Sequence, residues 1–240
     1  MSAEPVGGDV NSMSLYPFLT SSEVDVDAVL RQVMRSTEDK AREIIALRGE
    51  VLERDRSELI ACSASMAERF RQGGRLLTFG NGGSSTDAQD MASMFLHPGP
   101  DSTALPAFGL TSDIAVVTAL SNDVGFDVVF ARQIGAFGRR DDIAAGLSTS
   151  GNSANLLSAF DEAKRRGLLT IGIAGDRGGK MAESESIDHL FVVPSSSVHR
   201  IQEAQTTLYH ALWELTVLAL ASNADTENGS AARSFQEELG

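Results

Sequence analysis

Arg75-Leu76-Leu77-Thr78-Phe79-Gly80-Asn81-Gly82-Gly83-Ser84-Ser85 is the stretch whose reading decides the fold. A strand-like apolar run enters a turn rich in glycine and hydroxyls, and a helical pattern opens behind it. The arrangement occurs again where Asp142-Ile143-Ala144-Ala145-Gly146-Leu147 leads into Ser148-Thr149-Ser150-Gly151-Asn152-Ser153. Such a turn presents free backbone N–H groups at the positive end of a helix dipole, and its glycines let a ligand approach the backbone closely. The serine and threonine hydroxyls add donors that wrap a phosphate or a sugar. Both turns in one chain point to a phosphorylated small molecule.

Outward from these turns, strand and helix patterns alternate. Strands are expected at 75–79, 104–111, 142–148, 169–174 and 189–193, with helices at 84–96, within 113–137, at 152–166 and at 198–222. Two further helical segments, 25–47 and 50–72, precede them; Leu52, Leu59, Ile60, Met66 and Phe70 give the second its apolar face. This order predicts an α/β fold: a three-layer α/β/α sandwich with a central five-stranded parallel sheet, doubly wound, plus N-terminal helices. Ligands then bind at the carboxyl ends of the strands. Residues 1–23 read as a flexible leader carrying an apolar patch, Leu15-Tyr16-Pro17-Phe18-Leu19; 24–222 read as one domain and 223–240 as a polar tail.

The 240 residues are enough to bury a sizeable core. Thirty-three acidic against 20 basic residues give a net charge of -13, which argues against a general nucleic-acid binder but not against a locally bound anion. A single cysteine, Cys62, excludes an intramolecular disulfide and a cysteine-based zinc cluster, and its helical setting predicts a buried structural thiol. The longest apolar run, Leu212 to Ala221, is shorter than the roughly 20 residues of a membrane span and contains Glu214. With no secretory signal visible, cytoplasmic residence and no membrane contact are expected. A nucleotide cofactor fits poorly: the first turn does not continue into G-x-G-x-x-G, and Gly178-Gly179-Lys180 lacks the spacing and hydroxyl of a phosphate loop.

The two turns, Asp87-Ala88-Gln89, Asn122-Asp123-Val124-Gly125-Phe126, Gly178-Gly179-Lys180-Met181-Ala182, Arg200-Ile201-Gln202-Glu203 and His210 together resemble the SIS (sugar isomerase) family, in its phosphoheptose isomerase-like branch. The likeness covers most of 50–220. It implies that Ser84, Ser148, Thr149, Ser150 and Ser153 hold the phosphate and sugar hydroxyls, and that Asn81, Gly82, Asp123 and Gln202 shape the rest of the substrate pocket. It also implies aldose–ketose isomerisation of sedoheptulose 7-phosphate or a related phosphosugar, through an enediol, in a homodimer or homotetramer. The apolar circumference of the last helix (Leu208, Leu212, Leu215 and Ala219 on one stripe; Trp213, Val217 and Leu220 elsewhere) fits burial on more than one side.

At the catalytic positions the chain departs from the resemblance. In the isomerase branch the helix after the first turn carries a histidine and, four residues on, a glutamate base on the same face; with a glutamine and a histidine on the last helix they can hold zinc. Here those positions are Asp90, Met94, Gln202 and His210. A thioether accepts no proton at neutral pH and ligates zinc poorly, so the zinc ligand set is incomplete and no metal ligand is assigned. Asp90 and His210 are the expected catalytic pair, with Glu203, Asp123, His97 and His199 as other titratable candidates and His189 as structural. A second reading stays open: a non-catalytic SIS module that binds a phosphosugar or a protein partner, resembling the replication-initiator-associating branch, which also lacks the glutamate.

Overall fold

The computed structural model describes residues 25–99 and 103–237, with side chains described as far as 222. The leader expected at 1–23, with its apolar patch, lies outside the described residues. The chain divides into two compact units, Met1–Glu43 and Ile44–Gly240. The described part of the first unit is the opening of helix α1 (Val26–Arg54), where Ala28 N donates to Asp25 Oδ1 over 2.9 Å. Its Val26, Val29, Leu30, Val33 and Met34 follow helical spacing and are exposed.

The second unit carries the end of α1, then α2 (Arg56–Arg71), β1 (Leu76–Gly80), α3 (Gly83–Leu96), β2 (Ala107–Gly109), α4 (Ile114–Asp123) and α5 (Val129–Phe137). It continues through β3 (Ile143–Ser148), α6 (Ala154–Arg166), β4 (Leu169–Gly175), β5 (His189–Val193) and α7 (Val198–Glu237). All five strands are parallel in the order β2-β1-β3-β4-β5. The expected fold class is therefore the observed one.

Strand alternation separates the core into two layers. Leu76, Ile143, Ala145 and Leu147 pack with α2, α3 and α7 on one face. Leu77, Phe79 and Ala144 pack with α5 and α6 on the other, where the Phe79 ring lies 5.5 Å from Phe130 and 5.2 Å from Phe160. Asp142 is 1% exposed at the amino-terminal rim. Its carboxylate accepts from the Arg75 guanidinium and from the backbone N–H groups of Arg75 and Arg139, so its burial is fully compensated. Cys62 is buried, as expected, and that burial pushes its thiol well up.

Element limits differ from the sequence expectations in three places. The chain breaks between α1 and α2 at Asp55, later than 47–50, because Gly49 stays helical. The strand β2 keeps only Ala107–Gly109 of the 104–111 run, since Pro106 has no N–H to give a ladder. The last helix passes residue 222 and runs to Glu237, through a segment free of proline.

Candidate functional site

In the order β2-β1-β3-β4-β5, connections leave β1 and β3 in opposite directions, which makes the gap beyond their carboxyl ends the topological switch point. Both Ser/Gly turns lie there. The register pairs Gly80 with Leu147, so the turns start side by side. Asn81 and Asn155 then exchange two side-chain hydrogen bonds of 2.9 Å, tying the first turn to the first turn of α6. The amino ends of α3 and α6 are thereby held next to each other, concentrating positive dipole and unpaired N–H groups where an anion binds.

The second turn is fastened from three sides. Ser148 Oγ accepts from Gly151 N at 3.1 Å, and Ser150 Oγ accepts from Asn152 N at 3.3 Å. Asn152 Oδ1 accepts from Lys180 N at 3.0 Å, and Met181 N donates to Gly151 O at 3.0 Å. Gly151 has φ +66°, and a Cβ there would lie 1.9 Å from Gly178 O, so only glycine lets these two turns touch. Gln205 on α7, fully buried, donates to Ser148 O at 3.2 Å and Ile173 O at 3.1 Å, leaving its own Oε1 without a partner among the described residues.

Of the expected binding residues, Asn81, Gly82, Ser84, Ser148, Thr149, Ser150 and Ser153 all fall on these two turns. Gly82 precedes α3 with φ 55° and ψ -123°, and Ser153 caps α6 with its backbone alone. The hydroxyls of Ser84, Thr149 and Ser153 make no hydrogen bond among the described residues, so they are available to a ligand. Asp123 ends α4, exposed, and accepts from its neighbour Asn122 at 2.8 Å; no described hydrogen bond ties it to either turn.

Gln202 reaches α3 instead of pointing away. Its Nε2 donates to Asp87 Oδ2 at 3.2 Å and lies 2.3 Å from where a Cβ on Gly83 would stand, so the glycine makes room for it. Two turns further along α7 and one turn along α3, Tyr209 OH donates to Asp90 Oδ2 at 2.7 Å. Burial raises the Asp87 carboxyl above its usual range, opposed by the Gln202 hydrogen bond and reinforced by the Asp90 charge. Burial also pushes the Tyr209 hydroxyl up, so it stays a donor at neutral pH. His210 is exposed, with its ring centroid 5.4 Å from that of Tyr209.

Met94 is partly buried and packs on the core, one turn beyond Asp90. Among the remaining candidates, Glu203 pairs with Arg200, His97 and His199 are exposed, and His189 Nδ1 meets Glu58 Oε1 at 2.7 Å, the structural role expected of it. Sequence reasoning missed Tyr209, Asp87 as a partner of Gln202, and Gln205. Their one sequence signal is a polar residue inside an otherwise apolar helix face.

A cleft of about 1020 Å³ opens at the opposite end of the sheet, between the last turns of α2 and α6. Four of its five basic side chains are occupied within the fold: Arg69 donates to Arg140 O, Lys164 pairs with Asp188, and Arg165 and Arg166 hold Glu162. The switch point, with its free amide and hydroxyl donors, is the candidate site.

Zinc, implied by the resemblance, does not match the residues present. A site for it needs several N, O or S lone pairs converging at roughly 2.0–2.3 Å. Position 94 offers only a partly buried thioether, an Asp90 oxygen already receives the Tyr209 hydroxyl, and Gln202 is engaged with Asp87. Gln202 and His210 are also about 12 Å apart along the helix axis. Among the described residues no group of three or more His, Cys, Asp or Glu is placed to hold a metal ion.

The SIS domain model matches residues 41–175. The phosphoheptose isomerase of Roseiflexus sp. (strain RS-1) is 38% identical over 178 residues, covering 74% of this chain and 89% of that protein. The solved phosphoheptose isomerase of Francisella tularensis superposes with a TM-score of 0.72 at 30% identity, over 78% of this chain and 98% of that one. That of Neisseria gonorrhoeae gives a TM-score of 0.70 at 33% identity, over 77% and 98%. No described helix is long and apolar enough to cross a membrane.

Proposed function

This chain belongs to the SIS domain family, and from that membership we propose that it is a phosphosugar isomerase acting on sedoheptulose 7-phosphate or a closely similar ketose phosphate. The observation that carries the reading is the Asn81–Asn155 pair, which joins two helix amino termini and their hydroxyl-rich turns into one anion cradle. The phosphate is held by the N–H groups of both turns and by Ser84, Ser148, Thr149, Ser150 and Ser153. Asn81, Gly82 and Gln202 contact the sugar. Asp123, exposed at the end of α4, is the further residue proposed to line the sugar.

Isomerisation needs a base to carry a proton between adjacent carbons and an acid to carry one between their oxygens. Asp90 is the proposed base, held from one side by the Tyr209 hydroxyl. His210, exposed on α7 next to Tyr209, is the proposed acid. No step requires a metal.

The test is incubation of the purified chain with sedoheptulose 7-phosphate, following formation of the aldose phosphate. Asp90→Asn and His210→Ala should each lower kcat by about a hundredfold or more, while substrate binding is kept. Met94→Glu should raise kcat by placing a carboxylate one turn nearer the carboxyl end of α3. Binding with no turnover in any variant would instead identify a non-catalytic phosphosugar-binding module.

We also infer self-association as a homodimer or homotetramer. The exposed stripe of α1 from Val26 to Met34 and Leu218 on α7, 61% exposed, support it. Light scattering at micromolar concentration decides it, and a monomer would contradict it.

A further inference from the structure

Two hydrogen bonds cross from α7 to α3 at the site, their donors about two helical turns apart on α7 and their acceptors about one turn apart on α3. Gln202 and Tyr209 are seven residues apart and share a face of α7; Asp87 and Asp90 are three apart and share a face of α3. Each donor on α7 meets one carboxylate on α3: Gln202 Nε2 to Asp87 Oδ2 at 3.2 Å, and Tyr209 OH to Asp90 Oδ2 at 2.7 Å. Thr206, between the two donors, lies 3.4 Å from Tyr209 OH and completes the row.

We infer that this row is a hydrogen-bonded clamp that holds α3 against α7 where the resemblance places a metal-binding pattern, so that Tyr209 is a positioning residue for Asp90 and the site is built without a transition metal. Three features agree with it. Tyr209 is 1% exposed, so its hydroxyl is committed to the protein and not to water. Gly83 leaves the space through which Gln202 reaches Asp87. Position 94, the remaining corner of the pattern, is a partly buried thioether, a poor ligand for a zinc ion beside these oxygen and nitrogen donors. A carboxylate that receives a phenolic hydroxyl keeps a fixed orientation, which a base needs before it meets a substrate carbon.

The inference rests on the same site as the proposed isomerase, but its test reads metal content and melting, so it fails or survives separately from turnover. The full chain is exposed to excess zinc chloride, dialysed against chelator-free buffer, and its zinc counted by mass spectrometry. Melting is then recorded with and without EDTA. The clamp predicts far less than one zinc per chain and the same melting temperature in EDTA. Tyr209→Phe, which keeps the ring and removes only the hydroxyl, should lower the melting temperature by roughly 2–6 °C. It should also lower kcat, or weaken phosphosugar binding if turnover is absent, whereas Asp90→Asn should keep the melting temperature because the amide oxygen still accepts.

With cobalt(II) as a spectroscopic probe, wild type should give no tetrahedral d–d bands, and the double variant Asp90→His, Met94→Glu should give them. One zinc retained per chain, melting that falls in EDTA, or a Tyr209→Phe variant that melts with wild type would each overturn the inference.

Discussion

The cradle at the switch point and the face between α3 and α7 are neighbours, yet they are built from different material. The cradle is mostly backbone: N–H groups, carbonyls and short hydroxyls held by glycines, with the Asn81–Asn155 pair linking its two turns. The α3–α7 face is side chain: Asp87, Asp90, Gln202 and Tyr209, projecting from two regular helices. A backbone site tolerates little change without losing its shape. A side-chain site can exchange its chemistry residue by residue while the fold remains. The contrast explains how the chain keeps a full set of ligand-cradling turns and yet carries Asp90 and Met94 at the catalytic positions.

The largest effect belongs to the backbone half. Gly151→Ala forces a side chain into a left-handed residue whose Cβ would stand 1.9 Å from Gly178 O. It should cost more than about 2 kcal/mol in urea denaturation and weaken phosphosugar binding by at least about tenfold. A variant with wild-type stability and affinity would break the distinction, because the turn would then have freedom the account denies it.

On the side-chain half the expected effect is small and depends on pH. Asp87 has a folded-state pKa raised by burial and by the Asp90 charge, so the fold prefers its protonated form. The stability tied to that proton is fully present below the ordinary carboxylate pKa and is lost as the pH rises through the raised folded value. Asp87→Asn keeps an acceptor for Gln202 and removes the charge. It should melt roughly 1–3 °C above wild type at neutral pH, with the gain vanishing once Asp87 is protonated. A lower melting temperature at neutral pH would mean that the Asp87 charge stabilises this face.

The same contrast governs what could be read before the structure. The cradle is legible because strained turns and close approaches select glycine and hydroxyl residues, and the alternation of strands and helices around them gives the sheet order. The clamp is not legible. Tyr209 reads as one more large residue in an apolar helix, and its bond to Asp90 spans 119 residues of sequence. It exists only because α3 and α7 pack on the same face of the sheet. Gln205 is hidden for the same reason, since the carbonyls it holds belong to the ends of β3 and β4. Asp123, at the exposed end of α4, makes its one described side-chain hydrogen bond to its neighbour Asn122.

Calorimetric titration of the chain with sedoheptulose 7-phosphate and with unphosphorylated sedoheptulose tests most directly whether the turns grip a phosphate carried by a sugar. Saturable binding of the phosphate ester, with the free sugar weaker by about a hundredfold or more, is the predicted result. Equal affinity for the two sugars, or heat from neither, would contradict it.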